Sequence, residues 1–430
     1  MSELVSLLTF IDIIILFLFF LMWGQKNFYA VYLTNTIAVL AGPVVTGTLY
    51  SLSLFFSLDY GLLMCLPLLM IFPVIKNFNT KNIRFTVPDY RFLWILWFGI
   101  LVFLMFTEKW GEWDAWAIWN LHAKFLYHSS SWTSMMHPNL SWSHPDYPVL
   151  MPAIIAAFWK AFGGIHAFVP AMTSMIFYLL ILYILYTVCK PYWYAGTVLI
   201  SFLLLDVNFM NIISSQYADS FMALLLLLIV IFVADKPAHY HFWTGILVSI
   251  ALSVKNEGYV FLLALCIYMF LYEKNRFSAF LSFFSGLIPF FLPALYFKLV
   301  FAPTNDLVAG QSVSVFDKLL SPYRYFHIIR FSLETLFTKY YTFVLLVILL
   351  RKFITSIKKE WLIPALIIGF YLCIYLITPR DLLWHMSTSI KRLFHHVYPA
   401  VLFLLIKNID LLAVNDFLKN KYLSLTSNKT

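Results

Sequence analysis

The sequence contains few charged residues. Aspartate, glutamate, lysine and arginine make up 11% of its 430 residues, whereas hydrophobic residues make up 62%. About one quarter of the residues of a soluble domain are charged, so the composition excludes an ordinary water-soluble globular protein. The mean hydropathy of +0.84 points the same way. We therefore predict an all-α polytopic membrane protein, since helices satisfy their own backbone groups in lipid.

Cysteine is also scarce, and several sequence signatures are missing. The four cysteines, Cys65, Cys189, Cys266 and Cys373, lie in apolar runs without CxxC spacing, which excludes a disulfide framework or a zinc site and makes them candidate core residues. HExxH and Walker motifs are absent, as are internal repeats, low-complexity tracts and Gly/Ser linkers. The first apolar run lacks a basic n-region and a cleavage site, so we expect a retained span. One membrane domain over residues 1–430 is predicted.

Apolar runs of about 20 residues recur along the chain, and such a run can cross about 30 Å of hydrocarbon. About thirteen crossings are predicted. They lie at about 4–23, 33–55, 59–75, 92–106, 166–189, 192–206, 219–234, 240–254, 258–273, 277–301, 332–350, 361–378 and 391–406.

The net charge of +9 comes mostly from lysines and arginines in short loops between these runs. Such loops orient a membrane protein with its basic side in the cytoplasm, so nucleic acid is not an expected partner. The cytoplasmic loops would be 76–84, 273–276, 351–360 and the tail. Residues 107–165, 211–220, 255–258, the loop from 302 and 379–392 would then face outward. If the apolar run 148–164 crossed the membrane, every later basic loop would face outward. We therefore expect it to lie against the outer leaflet or to re-enter it, with Lys160 snorkelling to water.

The outward stretch 111–148 is unusually polar and rich in tryptophan. Trp113, Trp116 and Trp119 recur every three residues around Asp114, which predicts one indole stripe on a helix lying flat at the membrane interface. An interfacial anchor with solvated acids would explain this pattern. Alternatively, partial desolvation at the membrane boundary would make Asp114 suitable as a general base.

Three further polar groups fall in outward segments. His144, Asp146 and Tyr147 lie in a rigid turn with Pro145 and Pro148, and this turn is either structural or positions a substrate. Asp219, Lys255 and Glu257 lie at the outer ends of adjacent spans, where ionisable groups are costly unless they are paired or face a cavity. Either a structural ion pair or a site in which Lys255 holds an anionic head group would explain them.

The third group comprises Arg380, Asp381, His385 and Arg392, which we expect to lie together near the outer boundary. Arginine is a good phosphate ligand, although ordinary loop charge would explain a single arginine here. His395 and His396 follow in the last span and are interpreted as hydrogen-bonded core histidines.

The motifs EWDAW, HPDYP, YADS, KNEG and RDLLWHMSTSIKR follow one another in the order seen in GT-C membrane glycosyltransferases. The chain resembles the bacterial family 39 branch, which is similar to aminoarabinose transferases and protein mannosyltransferases. The resemblance covers residues 92–406, a GT-C-like core preceded by extra spans in 1–91 and followed by a cytoplasmic tail at 407–430. It differs from the family in having Asp114-Ala115 where an Asp-Glu pair is frequent, and HPDYP where the family has a Pro-Pro pair.

The resemblance implies an integral-membrane glycosyltransferase that transfers a sugar from a polyprenyl-phosphate donor to a lipid, glycan or protein acceptor of the cell envelope. It implies a multi-pass protein of the inner (plasma) membrane whose active site faces the periplasm or exterior, with outward juxtamembrane helices. Asp114 is similar to the family's catalytic acid, and Glu112 is the second candidate.

For the remaining site residues, Lys255, Arg380 and Arg392 are expected to stabilise the leaving phosphate. His144, Asp146 and His385 could shape the sugar pocket or, as the weaker alternative, help to bind a divalent cation. No other cofactor is indicated.

Two other functions remain open. A transporter or flippase of a lipid-linked or anionic substrate also uses buried ionisable groups near broken helices, although it would favour charges near mid-membrane and repeat symmetry. An O-antigen-ligase-like enzyme would favour a large arginine-rich late outer loop over an acidic first loop.

Overall fold

The computed structural model describes residues 2–28, 30–77, 90–305, 311 and 314–427. Most of the predicted cytoplasmic loop 76–84 and part of the predicted outer loop from 302 lie outside these ranges, as do the last three residues. Within the described ranges the chain is helical, with no strand and a single isolated bridge between Ile354 and Ile409. The prediction of an all-α protein is confirmed.

The predicted spans coincide with helices or with broken helices. The α-helices of the described residues are α1 (Ser2–Asn27), α2 (Val31–Phe55), α3 (Tyr60–Leu63), α4 (Ile71–Asn77), α5 (Tyr90–Phe106), α6 (Asn120–Tyr127), α7 (Leu150–Ala161), α8 (Phe168–Cys189), α9 (Trp193–Leu204), α10 (Val207–Ser214), α11 (Asp219–Asp235), α12 (Tyr240–Val254), α13 (Gly258–Tyr272), α14 (Arg276–Val300), α15 (Val315–Leu319), α16 (Pro322–Lys339), α17 (Tyr341–Leu350), α18 (Leu362–Ile377), α19 (Leu382–Asn408) and α20 (Leu411–Ser427).

Several of these helices are long and apolar enough to cross a membrane, which fits a multi-pass membrane protein. Among the described residues there are five: Glu3–Asn27, Val31–Phe55, Phe168–Cys189, Arg276–Val300 and Lys359–Ile377. Two bent pairs, α9 with α10 and α16 with the helix that follows it, raise the number to seven if each pair is one span. The number of about thirteen crossings stays a prediction, because many of the other apolar helices are shorter than a full crossing requires.

Helix α7 differs from its predicted position. Its 12 residues span about 18 Å, too short for a crossing, as the loop charges predicted. The helix does not lie on the surface, however, because nearly all its side chains are buried against α1, α2 and α6. A Cβ atom added to Gly47 of α2 would come within 2.5 Å of Ile154, so the two helices are in close contact. The surface alternative is therefore wrong, and the helix is inserted into the fold.

Helix α11 is the central helix. Every residue from Asp219 to Phe232 is fully buried, with α8, α12 and α19 packed around it. Its first residue, Asp219, lies in a polar region at the beginning of the helix. The positive end of the helix dipole favours a carboxylate there. Two cysteines predicted to be core residues, Cys65 and Cys373, are instead exposed on the outside of the bundle.

Helices α12 and α14 run side by side in the same direction. A Cβ atom on Gly245 would meet the carbonyl oxygen of Phe283 at 2.1 Å, and one on Gly286 would meet that of Phe242 at 2.1 Å. Such small residues allow helices to approach closely in a membrane. Further along, the Ser253 hydroxyl donates to the carbonyl of Phe290 at 2.7 Å, so both helices end in the same polar region.

The bend between α9 and α10 brings the segment after α10 to that region. Asp206 lies at the bend and caps α10 by accepting a hydrogen bond from the Phe209 N–H at 2.8 Å. Its other carboxylate oxygen accepts hydrogen bonds from the hydroxyls of Thr342 and Tyr398. These bonds satisfy a buried carboxylate and hold the two helices at 66°.

Candidate functional site

The segments predicted to face outward meet at one end of the bundle. Loop 107–114 contacts segment 211–217, turn 143–148 contacts Asn256 and Asn305, and Asp114 contacts Arg392. The opposite end joins the predicted cytoplasmic segments, where Lys236 bonds to Glu273 and the Thr355 N–H donates to the Asn408 carbonyl. The two groups of segments therefore lie at separate ends, while the direction in which each end faces stays a prediction.

The loop before Asp114 is held by backbone contacts to the segment between α10 and α11. The Glu112 N–H donates to the Ser215 carbonyl at 3.2 Å, and the Gln216 side-chain amide donates to the Glu108 carbonyl at 2.7 Å. Gly111 has a φ of +75°, and a Cβ atom there would lie 2.4 Å from the Ser215 oxygen. Only glycine permits both this conformation and this approach.

The predicted indole stripe is wrong in one respect. Residues Ala115–Trp119 form a π-helical turn instead of an α-helix. Because a π-helix has more residues per turn, Trp116 and Trp119, three positions apart within the turn, no longer share a face. Trp113 and Trp116 are 63% and 44% exposed, whereas Trp119 is 1% exposed and stacks on Tyr147 at 5.5 Å. The turn therefore anchors one indole in the core beside the 143–148 turn.

Asp114 forms an ion pair with Arg392, a residue 278 positions further along the chain. Both side chains are partly accessible, 20% for Asp114 and 17% for Arg392. The Arg392 guanidinium also lies over the Tyr217 ring, 5.4 Å from its centroid. The Tyr217 hydroxyl in turn donates to Glu112 at 3.3 Å. Both candidate acids therefore share one short network with the arginine.

A second network lies deeper. The Lys255 ammonium donates to Asp219 and to Glu257 at 3.0 Å each, and Lys255 and Asp219 are almost fully buried. His396 Nε2 lies 2.7 Å from Asp219 and, because a carboxylate can only accept, Nε2 carries the proton. His396 Nδ1 then accepts from the Tyr371 hydroxyl at 2.9 Å. The predicted pairing of Lys255 with Asp219 or Glu257 is confirmed, with both carboxylates as partners.

Charge compensation keeps the deeper network ionised. Burial alone would lower the pKa of Lys255, but the carboxylates of Asp219 and Glu257 raise it above its ordinary value. Burial would likewise raise the pKa of Glu257, and the Lys255 ammonium lowers it below its ordinary value. A buried ammonium ion thus stands between two carboxylates at this depth of the site.

The 143–148 turn is held by residues at or just after the ends of α12 and α14. The Asp146 carboxylate accepts hydrogen bonds at 2.8 Å from Asn256 and from Asn305, and Lys298 lies 3.6 Å from it. His144 has left-handed backbone torsions and stacks on Tyr147. Burial, followed by the charges of Glu257 and Asp146, raises the pKa of Tyr147 well above its ordinary value.

The parts of the site interact electrostatically. Arg392 interacts with the carboxylates of both Asp219 and Asp114, and its charge also acts on Lys255. Lys255 lies 6.0 Å from the centroid of the Tyr147 ring. The structure therefore brings Asp114, Glu112, Tyr147, Asp219, Lys255, Glu257 and Arg392 into one cluster, with His144 and Asp146 supporting it.

The 379–392 motif is spread out, which corrects the expectation that its members lie together. Asp381 caps α19 by accepting from the Trp384 N–H at 2.8 Å, and the Arg380 guanidinium lies over the Trp384 ring. Arg392 comes ten residues into the helix, about 15 Å along its axis. His385 bonds to Thr378 at 2.8 Å. His385, Arg392 and His396 share a helix face, whereas Arg380 and Asp381 stand at its start.

Sequence reasoning missed several members of the site. His396 is a buried, hydrogen-bonded histidine as expected, but its contact with Asp219 in the site was not foreseen. His395 is also buried, but it has no hydrogen-bond partner among the described residues and stacks on Phe209, so the expectation of a hydrogen bond is wrong for it. Lys298 and Asn305 lie on the clamp around Asp146. The spacing of His385, Arg392 and His396 at i, i+7 and i+11 on one helix could have identified His396.

The residues around Asp146 do not fit the divalent cation that the sequence left open. A lysine ammonium and two amide N–H donors already surround this carboxylate. His385 is bonded to Thr378 rather than aimed at Asp146. Among the described residues, no group of three or more histidine, cysteine, aspartate or glutamate side chains has the arrangement of a metal site.

A cavity of about 810 Å³ opens beside Glu112. Its walls come from loop 108–113, Trp116, α6 and the segment that carries Trp142. No family model, curated protein or solved structure matches this chain. What the site does must therefore be argued from its own geometry and from the sequence motifs.

Proposed function

We propose that this protein is an integral-membrane glycosyltransferase that transfers a sugar from a polyprenyl-phosphate donor to an acceptor of the cell envelope. The observation that carries the proposal is the contact between Asp114 and Arg392, next to the buried Lys255 ammonium. A proton acceptor and two phosphate-binding cations thus share one partly enclosed site at the end of a bundle of apolar helices. This is the set of groups that the reaction requires.

Each half of the donor finds matching surroundings. The polyprenyl tail is apolar and lies between helices in the membrane, whereas the phosphate needs cations at the membrane boundary. Arg392 provides a bidentate guanidinium, and Lys255 provides a second positive charge behind it. Both would stabilise the negative charge that develops on the phosphate as it leaves.

Asp114 acts as the base. It takes the proton of an acceptor hydroxyl or amine, whose oxygen or nitrogen forms a bond to the anomeric carbon. The bond from that carbon to the phosphate oxygen breaks, and polyprenyl phosphate leaves with the electron pair. Glu112, held by Tyr217, is close enough to orient the acceptor.

The ion pair suggests how donor binding prepares the base. A donor phosphate would compete with Asp114 for the same guanidinium, because arginine binds carboxylates and phosphates in the same way. Release from Arg392 leaves the Asp114 carboxylate free to accept a proton. Asp219, Glu257 and His396 act as positioning residues that hold Lys255, while Asp146 and His144 fix the turn that carries Tyr147.

The proposal places the protein in the plasma membrane, the inner membrane of a bacterium, with the site facing the exterior or periplasm. Its partners are the lipid-linked sugar and a lipid, glycan or protein acceptor. Two of the basic loops that support this orientation, 273–276 and 351–360, lie at the end of the bundle opposite the site.

The deciding experiment compares Asp114→Asn with Glu112→Gln in nanodiscs. Asparagine keeps the shape of the side chain but cannot take a proton, so sugar transfer should fall about 10²- to 10⁴-fold. Donor affinity, measured separately by binding of labelled polyprenyl-phosphate sugar, should not weaken. Glu112→Gln should reduce transfer less.

The outcome can correct the assignment in two ways. Normal transfer by Asp114→Asn with loss in Glu112→Gln would make Glu112 the base. Normal transfer in both variants, or no transfer by the wild-type protein from any polyprenyl-phosphate sugar, would contradict the proposed mechanism and leave loop 107–119 as an interfacial anchor.

A transporter or flippase is the second candidate, favoured by the bent helix pairs and by the buried network around Asp219. The two functions differ in what happens without an acceptor. A flippase would move the donor across proteoliposome membranes, measured by its accessibility to an impermeant reductant or hydrolase, and the flux would be lost in Asp219→Asn. A glycosyltransferase would leave the donor's distribution unchanged.

A further inference from the structure

The cavity beside Glu112 is lined mostly by side chains that do not belong to the catalytic cluster. Four tryptophans line it, Trp110, Trp113, Trp116 and Trp142, and they come from two separate stretches of the chain, 110–116 and 138–143. Trp113 and Trp116 pack edge to face with ring centroids 4.6 Å apart. The Lys124 ammonium lies 4.8 Å from the Trp110 centroid and supports that ring from one side.

Indoles that only anchor a protein at the membrane interface project outward into the head-group region. These indoles instead line a concave space of about 810 Å³, within the range of ~300–1,000 Å³ typical of small-molecule sites. Trp142, in the 138–143 segment, is half-exposed and lines the same cavity as loop 108–113. The indoles thus border an accessible space large enough for a small ligand.

The charges of the cavity narrow the class of ligand. Two acids, Glu108 and Glu112, are balanced by two bases, Lys109 and Lys124, which gives a formal net charge of zero. A polyanion such as a phosphorylated glycolipid would place its negative charges beside both carboxylates, and this like-charge repulsion would disfavour binding. A purely apolar chain would remove water from all four charged groups and offer them no hydrogen bonds in return.

A neutral sugar chain matches both features. One face of a sugar ring consists of polarised C–H groups, which pack against the electron-rich face of an indole. The rim of the ring carries hydroxyls that donate to carboxylates and accept from ammonium groups. A volume of about 810 Å³ accommodates a short oligosaccharide.

We propose that the cavity lined by Trp110, Trp113, Trp116 and Trp142 binds a neutral carbohydrate chain, the acceptor of the transfer reaction. The role as acceptor rests on the proposed function, whereas the binding of carbohydrate does not. Glu112 lines the cavity and stands two residues before Asp114, so a hydroxyl of the bound chain would be presented toward the base.

The test begins with the wild-type protein in nanodiscs on an array of neutral and phosphorylated glycans. The best-bound neutral oligosaccharide is then titrated against Trp142→Ala and Trp116→Ala. Trp94→Ala is the matched control, because Trp94 is 65% exposed on α5 and does not line the cavity. Each cavity variant should weaken binding by about tenfold or more, since buried aromatic anchors dominate such contacts. Trp142→Phe, which keeps a smaller ring, should fall between.

The result also separates this inference from the proposed function. Binding of no neutral glycan, a preference for phosphorylated glycans, or unchanged affinity in folded Trp142→Ala and Trp116→Ala would overturn the inference. Transfer that depends on Asp114 but goes to lipid or protein would leave the glycosyltransferase intact. Glycan binding that depends on Trp142, with transfer absent, would keep the carbohydrate site and refute the transferase.

Discussion

At the scale of single residues, the structure distinguishes between two arginines that the sequence treated alike. Arg392 contacts Asp114, whereas Arg380 lies at the start of the same helix over Trp384. A charge-assisted hydrogen bond contributes about 1.5 to 3 kcal/mol, which corresponds to about a tenfold to hundredfold change in affinity. The position of each guanidinium decides which of them carries that contribution.

We therefore expect Arg392→Ala to weaken donor binding about tenfold to hundredfold, and Arg380→Ala to have a much smaller effect. Arg392→Lys should restore only part of the affinity, because an ammonium lacks the bidentate geometry. The measurement is the dissociation constant of labelled donor in nanodiscs. A larger loss in Arg380→Ala than in Arg392→Ala would move the phosphate to the beginning of α19.

Lys255 holds the deeper network together, and its removal should destabilise the protein. Lys255→Met leaves Asp219 and Glu257 without their ammonium partner, and breaking such a buried pair costs about 3 to 5 kcal/mol. The control is Lys407→Met, since the Lys407 to Asp235 pair is exposed and should contribute less than about 1 kcal/mol. Thermal unfolding in detergent compares the two. Equal unfolding temperatures would show that the network adds no stability.

The same pair predicts a pH dependence. Because the pKa of Glu257 is lowered below 4.5 in the folded protein, its contribution is present above that value and is lost as pH falls through the folded pKa. Because the pKa of Lys255 is raised above 10.5, its contribution is lost only as pH rises through the folded pKa. The Lys255→Met variant lacks the ammonium that lowers the pKa of Glu257, so burial raises that pKa and the variant loses stability as pH rises through it. The difference in unfolding free energy between wild type and Lys255→Met should thus be smallest at about pH 4 and grow as pH rises above about 5. A difference that stays constant between about pH 4 and 8 would contradict this assignment.

At the scale of elements, loop 107–114 depends on one glycine. Gly111 and Gly163 have nearly the same positive φ, +75° and +72°, but a Cβ atom at Gly111 would meet Ser215 and Ala115, whereas one at Gly163 would meet nothing within 4 Å. The backbone penalty of about 1 to 2 kcal/mol is common to both positions. Only at position 111 would the added Cβ atom also collide with the segment that carries Tyr217.

Gly111→Ala should therefore displace the loop and reduce transfer far more than Gly163→Ala, which should cost stability alone. Sugar transfer and thermal unfolding are measured on both variants. Similar activity in the two would mean that the contact between loop 107–114 and Ser215 does not position Asp114.

At the scale of the whole molecule, the contacts divide the loops into two ends. The site end contains loop 107–147 and the other end contains 351–360, so a cysteine at Ser130 and one at Ser356 should lie on opposite sides of the membrane. Both residues are exposed. The background would be Cys65→Ser with Cys373→Ser, since those two native thiols are exposed as well.

An impermeant maleimide should label the cysteine at Ser130 in intact cells and the one at Ser356 only after the membrane is opened, because basic loops stay in the cytoplasm. Labelling of both from one side would contradict the two-ended arrangement. The reverse pattern would keep the arrangement but turn the site toward the cytoplasm.

The sequence alone determined the all-α membrane class, the approximate position of most of the long helices, and the set of polar segments that meet at one end. Apolar runs and basic loops carry this information locally, because each run must satisfy its own backbone in lipid and each loop carries its own charge. The cost of an unpaired charge in the membrane also predicted that Lys255 either pairs with a nearby acid or faces a cavity, and the choice between the two came from the structure.

Only the tertiary structure decided which polar residues touch. The pairing of Asp114 with Arg392, the bond from His396 to Asp219 and the clamp of Lys298 and Asn305 on Asp146 join residues far apart in the chain. No periodicity records such contacts, since they depend on helix crossings and bends. The π-helical turn also escaped the sequence, because its tryptophan spacing matches an α-helix, and the burial of Trp119 against Tyr147 selects the wider turn.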